Sequence, residues 1–316
     1  RRGAARRMEE VGQPDALPYA PLAYSMTHEV NLLGLGSRLG KADVCFSDHC
    51  IASFSTFARE EYGTMEALNA GWGTAFEAWS EVRPIVLADA VENGQIPRWI
   101  DHRRHMDRVF AGFLQYKRDV LRRHDPEAQA VSDDFGWGNE GRMNYAGSLS
   151  GIDYTLLLSR VLAGSMLPLP HLRSFSPRSH RHLLYGRGDT FCVPWIHTAD
   201  QELYRLRFGQ QPWVCLFLGM TGFNYWAGIH GDVSASSNFR QPLLVDLRTT
   251  AEGSWPIQPV AQIRTGIDRL IFESEFDDSN IAILYSRSSE HAATAWQEIH
   301  GSDAASKLYP SRQFWL

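Results

Sequence analysis

The stretch that decides the fold is Tyr24-Ser25-Met26-Thr27-His28-Glu29-Val30-Asn31. It continues an apolar run, Leu17 to Ala23, whose composition predicts a buried strand. The strand ends at the carboxylate of Glu29, and a glycine-rich loop over residues 34–40 follows. A strand that carries a Glu at its C-terminal tip is how a parallel α/β barrel presents catalytic groups. The alternative, a surface-loop Glu29 with no catalytic role, stays open on residue type alone.

Composition and charge narrow the class of protein. Of the 316 residues, 44% are hydrophobic and 21% are charged, which is ordinary for a globular protein. The formal net charge of −5 argues against a nucleic-acid-binding surface. No apolar run approaches the ~20 residues that a membrane span needs. The chain begins at Arg1 without an initiator Met or a signal peptide, so we expect a longer parent protein. The compartment stays open, with a cytoplasmic location favoured over secretion.

Aromatic residues are the informative bias in the composition. They make up 12% of the chain, with ten Trp, eleven Tyr and sixteen Phe. Many of them stand beside Gly, Asn or His rather than within apolar runs. Aromatic faces that line a polar cleft can grip the C–H faces of sugars, and large aromatics also pack well in ordinary cores. Both interpretations remain open.

Apolar runs and amphipathic stretches alternate along the chain. Apolar spacing predicts helices at about 51–62, 65–70, 101–124, 259–272 and 290–299. Five apolar runs predict strands at about 19–28, 128–132, 165–169, 190–196 and 222–227. A glycine-rich loop, 228–231, follows the last of these. The alternation predicts a parallel α/β sheet, and the acidic and aromatic strand ends favour a closed barrel over an open sheet.

A cysteine-containing loop is followed by Glu61-Tyr62-Gly63-Thr64-Met65-Glu66-Ala67-Leu68-Asn69 and then by Gly71-Trp72-Gly73-Thr74-Ala75-Phe76. This run resembles the family 42 glycoside hydrolases, the microbial β-galactosidases. The resemblance implies a (β/α)8 TIM barrel, with residues 1–276 as the portion from about strand four to strand eight. It implies that residues 277–316 begin a flavodoxin-like trimerisation domain, so that the full-length protein is a homotrimer. We expect the 316 residues alone to be inactive, because missing strands leave sheet edges unpaired.

The resemblance also implies an activity, the retaining hydrolysis of terminal β-galactosides or related β-linked glycosides. Glu29 occupies the place of the family's acid/base residue. The family's nucleophile, also a Glu, follows strand seven, which we assign to Thr190 to Ile196, and no carboxylate stands at that point. The nearest carboxylates are Asp200 and Glu202, and we favour Glu202 as the catalytic nucleophile because of its residue type.

Other origins of the nucleophile stay open. Asp134 after the second predicted strand and Asp232 after the last one are alternatives to Glu202. A further alternative is that the nucleophile has been lost. The chain would then be a catalytically degraded carbohydrate-binding or structural relative of the glycosidases.

Four residues are candidates for holding the sugar. His28 stands where the family has an Asn that hydrogen-bonds the 2-hydroxyl, so His28 or Asn31 is expected to make that bond. Trp195 and Trp226 lie at predicted strand ends and are candidates for an aromatic sugar platform, with ordinary barrel packing as the alternative. The expected partner is a carbohydrate substrate.

Cys45 and Cys50 flank His49 and could suggest a zinc site, as in some members of the family. The spacing is wider than the CxxC of strong zinc sites, and the loop supplies only two thiols. We therefore predict reduced structural cysteines, no metal site and no cofactor. Cys192 and Cys215 lie in apolar runs and are expected in the core.

Overall fold

A computed structural model gives the architecture of the chain. The residues that it describes are 24–26, 43–128, 130–132, 156–157, 161, 164–165, 209–210, 212–213, 216–217, 229–230, 243–244, 246–249, 254–274 and 286–300.

Three short strands form a parallel sheet in the order β1 (Tyr24–Ser25), β2 (Ala130–Ser132) and β3 (Gly164–Ser165). Tyr24 pairs with Ala130, and Val131 pairs with Gly164. Parallel strands therefore lie within the predicted runs 19–28 and 128–132 and at the start of the run 165–169, and most of the remaining residues of these runs lie outside the described ones. Because β1 and β2 are parallel neighbours, the long segment between them is a crossover connection built mainly from helices.

A second parallel pair joins β4 (Ile229–His230) to β5 (Leu243–Leu244). The prediction of a loop over 228–231 is wrong for residues 229 and 230, because Ile229 and His230 form a strand that pairs with β5. Isoleucine favours a pleated, half-buried surface, so the local apolar character outweighed the flanking glycines. The predicted strands 190–196 and 222–227 lie outside the described residues.

The motif-rich region forms two helices with clear end signals. Helix α1 (Asp48–Tyr62) begins after Ser47, whose hydroxyl accepts from the Cys50 amide, and ends at Gly63 with φ 70°. Helix α2 (Met65–Trp72) begins after Thr64, whose hydroxyl oxygen accepts from the Ala67 amide at 3.2 Å. The helix runs two residues beyond its predicted end at residue 70.

Two further helices complete the crossover, α3 (Leu87–Glu92) and α4 (Ile96–Leu121). The predicted start of α4 at Asp101 is wrong by five residues. Pro97 lies in the first turn of α4, where a missing amide hydrogen costs no hydrogen bond, so the proline begins the helix instead of breaking it.

The described C-terminal segments are helical. Helices α5 (Ile257–Gln262) and α6 (Asp268–Glu273) are joined by a widened turn, Ile263–Ile267, in which Gly266 adopts φ 121°. The last helix, α7 (Arg287–His300), packs against α4. Within the described ranges, every helix is too short or too polar to cross a membrane.

Three apolar clusters form the described core. The first places Tyr24 of β1 and the following residue, Met26, against Phe110 and Leu114 of α4. The second joins α1 to α2, where Phe54 and Trp72 stack with ring centroids 5.7 Å apart. The third joins α3, α4 and α7 through Ala90, Trp99 and Ala295. Full burial of each large side chain stabilises the fold by about 1.5–3 kcal/mol, so α4 is the central element of the crossover.

Candidate active-site edge of the sheet

The parallel strands bring three chain segments to one edge of the sheet. β1 ends at Ser25, β2 at Ser132 and β3 at Ser165, and the pairing puts these ends side by side. In the sequence, Glu29 follows the end of β1 after three intervening residues, and Asp133 directly follows β2. Ligands and catalytic groups of α/β proteins lie at the carboxyl ends of parallel strands. This edge is therefore the candidate active site.

The predicted site residues themselves are not among the described ones. These residues are Glu29, Glu202, His28, Asn31, Trp195 and Trp226, together with the alternative carboxylates Asp134, Asp200 and Asp232. Their roles stay predictions. What the structure does describe is β1, which precedes Glu29 in the chain, and the region from residue 43 to residue 128.

Both ends of β1 are tied to the crossover by side-chain hydrogen bonds. The Tyr24 hydroxyl donates to Asp125 Oδ2 at 2.9 Å, and Lys117 Nζ on α4 donates to the carbonyl oxygen of Met26. Burial and the bond to Asp125 raise the pKa of Tyr24 to about 12, so the phenol stays protonated. The strand that leads to Glu29 is thus fixed at both of its ends.

The loop before α1 is fixed by Asp43 and by a disulfide. Asp43 Oδ1 accepts from Trp99 Nε1 at 2.9 Å, and Asp43 Oδ2 accepts from the Leu87 amide at 3.0 Å. Cys45 and Cys50 are joined in a disulfide, with their Cα atoms 5.6 Å apart. The prediction of reduced cysteines is therefore wrong, because that Cα separation lies in the range of disulfides, which spacing alone could not reveal.

The motif that carries the family resemblance has a structural role. Asp101 on α4 accepts from Tyr62 at 2.6 Å and from Trp72 Nε1 at 2.8 Å, which ties α1 and α2 to α4. Asn69 Oδ1 accepts from the Phe76 amide at 2.9 Å and holds the loop after α2. Gly71 allows close packing, since a Cβ atom there would lie 2.8 Å from the Tyr62 ring. These residues hold α1, α2 and the loop after α2 against α4.

Two histidines of α4 are buried against α1. His102 Nδ1 lies 2.9 Å from Arg103 Nη2, so this nitrogen accepts and the proton is on Nε2. His105 Nε2 lies 3.0 Å from the hydroxyl of Ser53. Burial, with positive charges nearby, lowers the pKa of His102 to about 2 and that of His105 to about 4. Both imidazoles are therefore neutral in the folded protein at neutral pH.

These lowered pKa values predict an acid-labile fold. Below pH ~6.5 the unfolded chain protonates both histidines while the folded chain does not, so stability falls as pH decreases towards the folded values. Between pH 6.5 and 4.5 we expect a loss of roughly 2–3 kcal/mol per histidine. Urea unfolding at several pH values should show a shallower pH dependence for His105→Gln. The exposed His124→Gln is the control, and equal slopes for the two variants would contradict the prediction.

Sequence reasoning missed a buried ionic cluster that joins α4 to α7. Asp107, almost fully buried, accepts from Arg287 at 2.9 and 3.0 Å and lies 2.9 Å from His291 Nε2. Burial alone would raise the pKa of Asp107, but Arg287 and His291 outweigh it and lower that pKa, so the carboxylate is ionised. The available signal was a single acidic residue, Asp107, between the apolar residues Met106 and Phe110 of a predicted helix.

Comparisons with known proteins agree with the motif. The family model described as β-galactosidase, that of glycoside hydrolase family 42, matches residues 24–155, which run from the start of β1 to beyond β2. The chain is a relative of the family 42 glycoside hydrolases. The β-galactosidase LacZ of Heyndrickxia coagulans is 26% identical over 147 residues, which are 40% of this chain and 22% of that protein.

Two solved structures show the shared fold. The first is a β-galactosidase from Marinomonas ef1, with a TM-score of 0.54 and 16% sequence identity. The match covers 86% of this chain and 44% of that protein's chain. The second is a family 42 β-galactosidase from G. stearothermophilus, solved as a catalytic mutant, with a TM-score of 0.53 and 15% sequence identity. The match covers 83% of this chain and 42% of that protein's chain. The chain thus shares the α/β fold of these structures and spans less than half of their length.

Proposed function

We propose that this chain carries the active site of a retaining β-galactosidase, with Glu29 as its acid/base residue. The observation that carries the proposal is the family match, which begins at Tyr24 in β1 and includes Glu29. The parallel pairing of β1 with β2 supports it, because strand ends of this kind form the active-site edge in α/β barrels. The substrate is a terminal β-galactoside or a related β-linked glycoside.

A retaining mechanism requires two carboxyl groups about 5 Å apart, one as acid/base and one as nucleophile. Protonated Glu29 gives its proton to the glycosidic oxygen while the carboxylate of Glu202 attacks the anomeric carbon, and the aglycone leaves. Glu29, now ionised, takes a proton from water, which attacks the anomeric carbon and releases Glu202. His28 or Asn31 would hold the 2-hydroxyl of the sugar.

The rest of the architecture is part of the same proposal. Trp195 and Trp226 would form the aromatic platform for the sugar ring. Residues 1–276 would be strands four to eight of the barrel, and residues 277–316 would begin the trimerisation domain. Helix α7 lies in that second segment, and the Asp107–Arg287 pair would join the segment to the barrel.

A panel of nitrophenyl glycosides tests the activity. We expect the full-length protein to hydrolyse the β-galactoside faster than the β-glucoside, β-xyloside and α-galactoside. Proton NMR of the first product should show the β-anomer of galactose, because two displacements restore the starting configuration. Galactose binding without turnover of any member of the panel would contradict the proposal and indicate a degraded relative. An α-anomer as first product would contradict the retaining mechanism.

A further inference from the structure

Lys117 lies on α4 and reaches the end of β1. Its ammonium group donates a hydrogen bond to the carbonyl oxygen of Met26, the residue that follows β1. The Met26 side chain is buried, with 2% of its surface exposed. The ammonium also lies 5.8 Å from the centroid of the Phe113 ring, one turn earlier on α4, which favours the same side-chain direction.

This contact acts on the direction in which the chain leaves the sheet. A carbonyl held by an ammonium group fixes the plane of the peptide between Met26 and Thr27. Hydrogen bonds to charged groups are roughly twice as strong as neutral ones. Glu29 follows two residues beyond Thr27, so a rotation of this peptide would displace its carboxyl group.

We propose that Lys117 is a positioning residue that aligns Glu29 by holding the Met26 carbonyl. The inference rests on the proposed role of Glu29 as the acid/base residue. Lys117 itself does not touch the substrate in this proposal. Its contribution is geometric, and a misplacement of a catalytic group by about 1 Å can cost on the order of 10²-fold in rate.

The start of β1 offers a matched control. Tyr24 donates to Asp125 at 2.9 Å, so it is a second side-chain anchor of the same strand. This anchor lies five residues before Glu29, whereas the carbonyl of Met26 lies three residues before it. Tyr24→Phe therefore removes a hydrogen bond from β1 without freeing the peptide that leads to Glu29.

The test compares two β-galactosides in the full-length protein, one with a dinitrophenyl and one with an alkyl leaving group. Proton donation matters for the alkyl glycoside and little for the dinitrophenyl glycoside, so kcat/KM on the pair reports the alignment of the acid. We expect Lys117→Met to lower kcat/KM roughly 10- to 100-fold on the alkyl glycoside and only a few-fold on the other. Lys117→Arg should restore most of the loss, and Tyr24→Phe should change both substrates alike.

The outcomes separate this inference from the proposed function. Glu29→Gln should lower kcat/KM more on the alkyl glycoside than on the dinitrophenyl glycoside. If it does, but Lys117→Met lowers kcat/KM equally on both glycosides or on neither, the positioning role is overturned. If Glu29→Gln shows no such difference, the proposed function fails and the inference falls with it. Should Lys117→Met not fold, as judged by circular dichroism, Lys117→Gln replaces it, since it keeps a neutral donor and should give an intermediate loss on the alkyl glycoside alone.

Discussion

Replacing Glu29 by Gln is expected to reduce kcat/KM for alkyl β-galactosides by roughly 10²- to 10⁴-fold, the usual contribution of a general acid. The amide has nearly the shape of the carboxyl group but cannot donate its proton to the leaving oxygen. For dinitrophenyl β-galactosides the same change should have little effect on kcat/KM, because that leaving group departs without protonation. Initial rates on the two substrates in the full-length protein measure the difference.

The pH profile gives an independent check on Glu29. In the native protein the alkaline limb of kcat/KM on the alkyl glycoside should report the ionisation of the acid, and in Glu29→Gln this limb should disappear. Glu66→Gln is the matched control, because Glu66 lies exposed in the first turn of α2. Unchanged activity of Glu29→Gln on the alkyl glycoside, with an unchanged alkaline limb, would remove Glu29 from the mechanism.

Helix ends were predictable from sequence where a residue type strongly favours one local role, such as a capping Thr or a Gly at positive φ. Thr64 accepts from the amide three residues on, and Gly63 and Gly73 adopt positive φ values that favour glycine. The start of α4 was missed because Pro97 can either break a helix or begin one, and only the tertiary context decides between these. The family motif was recognisable because it is long and local.

Long-range pairings could not be predicted in this way. The partners of Asp107 stand 180 and 184 positions away in the chain, and no local pattern connects them. The disulfide between Cys45 and Cys50 depends on the distance between the two Cα atoms, which sequence spacing does not give. The predicted carboxylates of the candidate site, Glu29 and Glu202, likewise stand far apart in the sequence, and the choice of Glu202 rests on resemblance to the family.

The second large effect is expected on stability, from Asp107→Asn. The amide keeps the volume of the carboxylate but removes the charge that Arg287 contacts through two nitrogens. Loss of one partner from a buried pair costs about 3–5 kcal/mol. Arg287 keeps its ion pair with Glu290 at 2.7 Å, so we expect a loss at the lower end of that range. The melting temperature should fall by roughly 4–6 °C. Thermal unfolding followed by circular dichroism, with urea unfolding alongside, measures both quantities.

A control on the same helix separates this effect from general damage to α4. Asp119 pairs with Arg118 at 3.0 Å but is half exposed, and exposed pairs contribute at most about 1 kcal/mol. Asp119→Asn should therefore leave the melting temperature almost unchanged. The double variant Asp107→Leu with Arg287→Met should regain much of the lost stability, since two apolar groups need no compensation. If Asp107→Asn is no less stable than Asp119→Asn, the buried cluster does not hold α7 on α4.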